Sequence, residues 1–263
     1  MEPIFLTQVT KIKNGKKIEV DDSVIKEVKI DIVINDKKIV SMMAVPVDMQ
    51  ELSVGYIIGE SIVESVNDIS DIDIKTEDEQ NYKIRIKAKT NKQNLKKLNS
   101  EKVIVSGCGK GESMHISTQS IEAKKLTTDF SVNAELLFEE MQTFYGQCPL
   151  YEKTGCVHTA KIYIDKKTYF VGEDIAQHNT IDKAVGKALL AGHNITNSFL
   201  MVSGRLSSEM VAKAVVHQVP LLASRTASTC RGVMIAKKFG LTLIGFVRVK
   251  SMNIYTSPDR IIL

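Results

Sequence analysis

The sequence predicts an α/β protein, with a layered α/β domain in its second half and a smaller α+β domain at its N-terminus. Two observations carry that prediction. From Ala160 to Val247, short apolar runs alternate with amphipathic stretches of helical length, the pattern of strands joined by helical crossovers. Before that, residues 26–89 alternate with period two around one apolar helix, which suits a half-exposed sheet. The boundaries expected are 1–102 for the small domain, 103–130 for a connector and 131–263 for the α/β domain. A chain of 263 residues has room for two modest domains.

Taken in order, Val28, Ile30, Ile32 and Ile34 share one face of a strand. Asn35-Asp36 turns the chain, and Ile39–Val45 returns. Pro46-Val47-Asp48 leads into a helix over 50–64, with Leu52, Ile58 and Ile62 on one stripe. Tyr82–Lys89 alternates apolar with basic residues, a strand with a solvated outer face. Residues 90–102 are polar and Lys-rich, a solvated surface. Val103 opens a short strand into the glycine-spaced segment S-G-C-G-K-G. A helix follows at 133–145, with Leu137, Met141 and Phe144 on one stripe. Ala160–Ile164 and Thr168–Val171 form strands joined by a turn at 165–167. Helices over 174–190, 205–217 and 229–239 then alternate with strands at 198–202, 219–223 and 241–247. Gly192 and Gly240 stand just past two of these helices, as C-terminal caps do.

Composition narrows the function. The 35 Lys+Arg against 31 Asp+Glu give +4, too little for a nucleic-acid coat protein. There is no Trp and aromatics make up 6%, which disfavours a stacking platform for single strands. No apolar run reaches the ~18–20 residues of a membrane span, and the N-terminus lacks the basic and apolar regions of a signal peptide. The four cysteines, Cys108, Cys148, Cys156 and Cys230, are too few and irregular for a disulfide framework, so a reducing cytoplasm is expected.

Chemistry in an open α/β sheet collects at the carboxyl ends of parallel strands. Two such places follow one another here, Ser203-Gly204-Arg205 and Ser224–Thr229. Each offers hydroxyls, a helix N-terminus and an arginine fork suited to phosphate. The plain alternative is two helix caps with surface arginines. Asp174, His178 and Asp182 fall at i, i+4 and i+8, one face of the expected helix. That stripe is either a functional polar cluster or an N-cap beside a hydrogen-bonded histidine. Cys148, Cys156 and His158 lack the C-x-x-C pairing of a structural zinc site, and no metal site is expected. Cys156 and Cys230 read as small core residues, while His158 can line a pocket. Cys108 differs, because it stands between Gly107 and Gly109 with Lys110 beside it. Glycine neighbours free the loop to move, and a nearby cation favours the thiolate. The segment is not a P-loop, because Ile104 occupies the position of its first glycine.

Five ordered blocks carry a resemblance: T-G-C-V-H-T-A (154–160), G-E-D-I-A-Q-H-N-T-I-D-K-A-V-G (172–186), S-G-R-L-S-S-E-M-V-A-K (203–213), G-L-T-L-I-G-F-V-R (240–248) and N-I-Y-T-S-P-D-R-I (253–261). With P-V-D-M-Q-E-L-S-V-G-Y-I-I-G-E (46–60), the chain resembles the formate dehydrogenase accessory sulfurtransferase (FdhD) family over nearly its whole length. The resemblance implies a cytidine-deaminase-like fold for the larger domain and a homodimer. It also implies a sulfurtransferase role. Persulfide sulfur comes from a cysteine desulfurase and passes to molybdenum bound by two molybdopterin guanine dinucleotides, and the sulfurated cofactor enters formate dehydrogenase. By the same resemblance the sulfur carrier is Cys108. The cofactor contacts are then Phe246, Val247, Arg248, Val249, Lys250 and Ser251, joined by Ser203, Gly204 and Arg205. His158, Asp174 and His178 stand as further candidates near the pterin or guanine. GDP is expected to mimic the nucleotide half. One departure matters: many members carry C-x-x-C in the loop, and Val105 stands here at its first position. That leaves open a cofactor-binding chaperone that moves no sulfur. A zinc deaminase is a further alternative, but the chain lacks the H-x-E and P-C-x-x-C ligand pair.

Overall fold

The computed structural model describes residues 2–91, 94, 103–104, 121 and 123–263. A two-stranded ribbon comes first, β1 (Ile4–Lys13) and β2 (Lys16–Ile25), joined at Asn14-Gly15. The hairpin of β3 (Val28–Ile34) and β4 (Lys37–Ala44) follows, and Asn35 and Asp36 turn it with φ of 46° and 64°. Asn and Asp tolerate that left-handed geometry, which matches the strand twist. Helix α1 runs over Met49–Gly59, and β5 (Ile69–Thr76) and β6 (Asn81–Ala88) complete the unit. With β7 (Val103–Ile104) these strands make a sheet of order β5-β6-β3-β4-β7.

The second sheet has the order β10-β9-β11-β12-β13-β14. Its strands are β9 (His158–Tyr163), β10 (Tyr169–Asp174), β11 (Phe199–Val202), β12 (Leu221–Ser224), β13 (Thr242–Gly245) and β14 (Asn253–Thr256). The central β11, β12 and β13 are parallel, as the alternation predicts, and β9, β10 and β14 run antiparallel to their neighbours. A small pair, β8 (Val132–Asn133) with β15 (Ile261–Ile262), lies outside it. The helices are α2 (Ala134–Gln142), α3 (Pro149–Thr154), α4 (Gln177–Leu190), α5 (Ser208–Val216) and α6 (Cys230–Phe239). One face of the sheet buries Ile162, Leu200, Leu222 and Leu243 among α4, α5 and α6 residues. The other buries Tyr163, Met201, Leu221 and Ile244 with Leu137 and Met141 of α2. Cover on both faces explains why the central strands are continuous apolar runs.

Several expected elements shift. Helix α1 ends at Gly59 and is buried on nearly all sides; Ile58, placed on the core stripe, is only partly buried. The helix is sandwiched between the first sheet and α4, so beyond its exposed first turn at Gln50 little of it meets solvent. The helix expected from Arg205 starts at Ser208, capped by Ser207, whose Oγ accepts from Met210 N. Leu206 therefore packs from the preceding bend. Asp174 is not helical: it closes β10, and α4 begins three residues later.

The two sheets meet through α1 and α4, and buried charge fastens the junction. Lys183 Nζ lies 2.7 Å from Asp174 Oδ2, with both side chains fully enclosed. Lys183 also donates to the carbonyls of Val45 and Glu173, and Val45 N donates to Asp174. Asn179 Nδ2 donates to Met43 O. A second group sets Asp182 against Lys213 at 2.8 Å.

Candidate functional site at the carboxyl ends of the parallel strands

Three loops leave the carboxyl ends of β11, β12 and β13, and hydrogen bonds stitch them into one surface. Ser224 Oγ donates to Gly204 O at 2.6 Å, and Thr226 N donates back to Ser224 Oγ. Leu206 N donates to Ala227 O. The third loop joins through Phe246 N to Thr226 O and Val247 N to Ser224 O. Arg248 Nη1 donates to Arg225 O at 2.6 Å. On the opposite side, Thr159 N donates to Ser203 Oγ, which lies 3.4 Å from His158 Nδ1. Gln177, at the start of α4, donates from Nε2 to Arg205 O. The two sequence segments 203–205 and 224–229 thus lie side by side, and 246–251 borders them.

The electrostatics are one-sided. Arg205, Arg225 and Arg248 stand on these three loops, and among the described residues none has a carboxylate at ion-pair distance. Arg225 lies over the Tyr145 ring at 5.4 Å, and Tyr145 stacks on Tyr151 at 4.0 Å. That contact sets a cation against the ring face. His158 is exposed as a residue, but partial burial of its ring, then the nearby Arg205 charge, pulls its pKa below the usual histidine value and favours the neutral ring. Phe246 is exposed with φ of 52°, a strained conformation for a bulky residue and one that clusters at functional sites. Ser207 and Thr229 cap α5 and α6 at the same edge. Unpaired guanidiniums, hydroxyls and two helix N-termini suit a ligand bearing phosphates.

The family model described as FdhD/NarQ matches residues 25–262. The chain belongs to the FdhD/NarQ family. Among its relatives, the sulfur carrier protein FdhD of Wolinella succinogenes is 37% identical over 243 residues, covering 92% of this chain and 84% of that one. The sulfur carrier protein FdhD of Shouchella clausii is 28% identical over 257 residues, covering 97% and 95%. A crystal structure from Desulfotalea psychrophila, of a protein proposed to be a formate dehydrogenase accessory protein, superposes with a TM-score of 0.79. It is 25% identical and the match covers 99% of this chain and 100% of that one.

In this FdhD/NarQ chain not every expected residue joins the loop surface. Cys108, with its glycine-rich loop, lies outside the described residues. Asp174 is fully enclosed, and its oxygens are spent on Lys183, Val45, Ala176 and Asn179. The i, i+4, i+8 stripe is therefore not one helix face. His178 is half-buried in the first turn of α4, where Lys213, Asp182, Glu209 and Asp174 set its field. Val249, Lys250 and Ser251 are exposed beyond Arg248, whose N donates to Ser251 O. Val247 is buried beneath them. Cys156 and Cys230, expected in the core, are both exposed, and Cys148 is the buried thiol. Cys156 follows the αL residue Gly155 and lines an open cleft of about 500 Å³ with Val24, Ile25 and Ile175. Cys230 opens α6 rather than sitting inside it. Among the described residues, no three His, Cys, Asp or Glu side chains are grouped to hold a metal ion, and no helix is long and apolar enough to cross a membrane. Sequence reasoning did not single out Tyr145, Tyr151 and Gln177. Arg225 stood inside a quoted motif without being chosen.

Proposed function

We propose that this chain is a sulfurtransferase that takes sulfur from a cysteine desulfurase and delivers it to molybdenum in a bis(molybdopterin guanine dinucleotide) cofactor destined for formate dehydrogenase. Relatives that match nearly the full chain are named sulfur carrier proteins, which supports the carrier role. The observation that carries the cofactor reading is the placement of Arg205, Arg225 and Arg248 on three adjoining loops with no carboxylate at ion-pair distance among the described residues. Two pyrophosphates are cargo of the charge such a surface selects. Cys108 is the thiol assigned to accept sulfur. Its thiolate attacks the terminal sulfur of the desulfurase persulfide, that S–S bond breaks, and the desulfurase cysteine leaves as thiolate. A free thiol in this role belongs in the reducing cytoplasm.

Val105 leaves the loop a single cysteine, which a cofactor chaperone without sulfur transfer would also show. One experiment separates the two. After incubation with a cysteine desulfurase and cysteine, the peptide holding residue 108 gains roughly 32 Da, one sulfur atom as persulfide. Cys108→Ser abolishes the gain and fails to restore formate dehydrogenase activity in a deficient strain. Full restoration by Cys108→Ser would overturn the sulfur-transfer reading and leave the chaperone.

A further inference from the structure

The positive charge of this chain is concentrated. Between Met210 and Pro258 the sequence holds Lys213, Arg225, Arg231, Lys237, Lys238, Arg248 and Lys250, and not one Asp or Glu. These seven exceed the net +4 of the whole chain, so the remainder is net acidic. Lys213 is spent on Asp182 inside the fold. The others stand on α6 and on the loops after β12 and β13. Those segments adjoin. Helix α6 packs on β13 and β14, and Phe246 N and Arg248 Nη1 donate to the carbonyls of Thr226 and Arg225.

Helix α6 gives one face to the core through Ile235, Ala236 and Phe239 and turns the other outward. The outward stripe is Arg231, Met234, Lys237 and Lys238, spaced as neighbours along one side of a helix. Met234 is 55% exposed. On the loop after β13, Phe246 is exposed too, and Val249 is 58% exposed. Phosphate binding does not call for apolar side chains standing in water among the cations. Met, Phe and Arg are enriched together where proteins meet proteins, with a polar rim around them.

We infer that the outer face of α6 and the tip at 246–250 dock a carboxylate-rich surface of the protein that takes the cofactor from this chain. The inference rests on the proposed cargo role and names the chemistry of the partner that role requires. Its placement follows from adjacency: the face borders the arginine loops, so a partner seated on it lies beside the cargo. Two other polyanionic surfaces fit less well. A nucleic acid would pair with the cations but leave Met234 and Val249 in water, since neither offers a ring on which a base can stack. A lipid surface takes up a helix whose whole apolar face is free, and α6 has given that face to the core. Opposite charge across the contact steers encounter and makes it salt-dependent.

The test is a calorimetric titration of the full chain with purified formate dehydrogenase lacking its cofactor. Wild type binds, and its affinity falls about tenfold or more as salt rises from about 0.05 to about 0.3 M. Met234→Asp with Lys237→Glu weakens that binding by on the order of tenfold or more. The same variant keeps wild-type GDP affinity, persulfide gain on residue 108 and thermal midpoint, because both side chains stand outside the cargo loops and the core. No binding by the wild type, or equal binding by the variant, would overturn the assignment. So would a parallel loss of GDP affinity, which would give the face to the cargo, or a lowered thermal midpoint, which would mean the chain itself covers it. Tighter binding to polyuridylate or to phosphatidylglycerol vesicles than to the enzyme would overturn it in favour of those surfaces. Failure of persulfide formation on residue 108 with docking intact strikes the sulfur-transfer reading alone.

Discussion

At the scale of single residues, the loop surface depends on arginines that the fold positions but does not neutralise. Arg225 is held against Tyr145, while its backbone carbonyl accepts from Arg248. If the proposed cargo binds here, losing either guanidinium would remove a charge-assisted phosphate contact worth about 1.5–3 kcal/mol. GDP, carrying the diphosphate of the proposed cargo, should therefore raise the thermal midpoint of the wild-type chain. Arg225→Ala and Arg205→Ala should each weaken GDP binding about tenfold or more, and Tyr145→Phe should keep it, since the ring rather than the hydroxyl supports the guanidinium. Calorimetric titration with GDP checks this, and unchanged affinity in both arginine variants would place the nucleotide elsewhere. Much of this site was legible in the sequence, because a hydroxyl and an arginine directly after a buried strand are local signals. Tyr145 was not legible. It reaches Arg225 across some 80 residues of chain, and nothing in the spacing of either segment records that contact.

At the scale of elements, the close crossing of α1 and α4 decides how the two sheets join. A Cβ on Gly55 would collide with the Asp182 carbonyl, and one on Gly186 with the Glu51 carbonyl. The clash partners are backbone, so no rotamer change relieves them. Gly186→Ala should therefore cost about 1–3 kcal/mol or more by overpacking, outweighing the roughly 1 kcal/mol that alanine adds in an ordinary helix. Urea unfolding reads the sign directly, and a stabilised variant would mean the helices can part freely. The alternating strands and helices of the second half were readable because each buried strand is short and helix ends carry cap residues, as at Thr229 before α6 and Gly240 after it. The β1–β2 ribbon was missed despite Asn14-Gly15, a strong hairpin signal. Its strands have no buried face, so the alternation that marks a strand is broken by charges. Asp174 was misplaced into α4 because its apolar and polar neighbours fit a helical period as well as a strand end.

At the scale of the whole molecule, the junction between the sheets makes stability sensitive to mild acid. His178 lies in the first turn of α4, near Asp174 and Asp182, the carboxylates that fasten this region. Burial, and then the Lys213 charge, depress its pKa below the ordinary value of 6.5. His158 is depressed in the same direction by burial and Arg205. In the unfolded chain both rings take up protons as pH falls through about 6.5, while the folded chain resists. The unfolded state then binds more protons, so stability is full above that pH and declines as pH falls toward the folded values. Asp182, whose pKa is lowered chiefly by Lys213 against its burial, holds its contribution until pH falls below the ordinary carboxylate range. Glu173 is shifted upward by burial and works in the opposite sense, gaining as pH falls through its raised folded value toward the ordinary 4.5. Thermal unfolding from pH 7.5 to about 5.5 should therefore show a falling midpoint in the wild type. The double variant His158→Gln with His178→Gln should show a much flatter profile over that interval. An equal slope in both would locate the acid sensitivity in other groups and separate these histidines from the joint between the sheets.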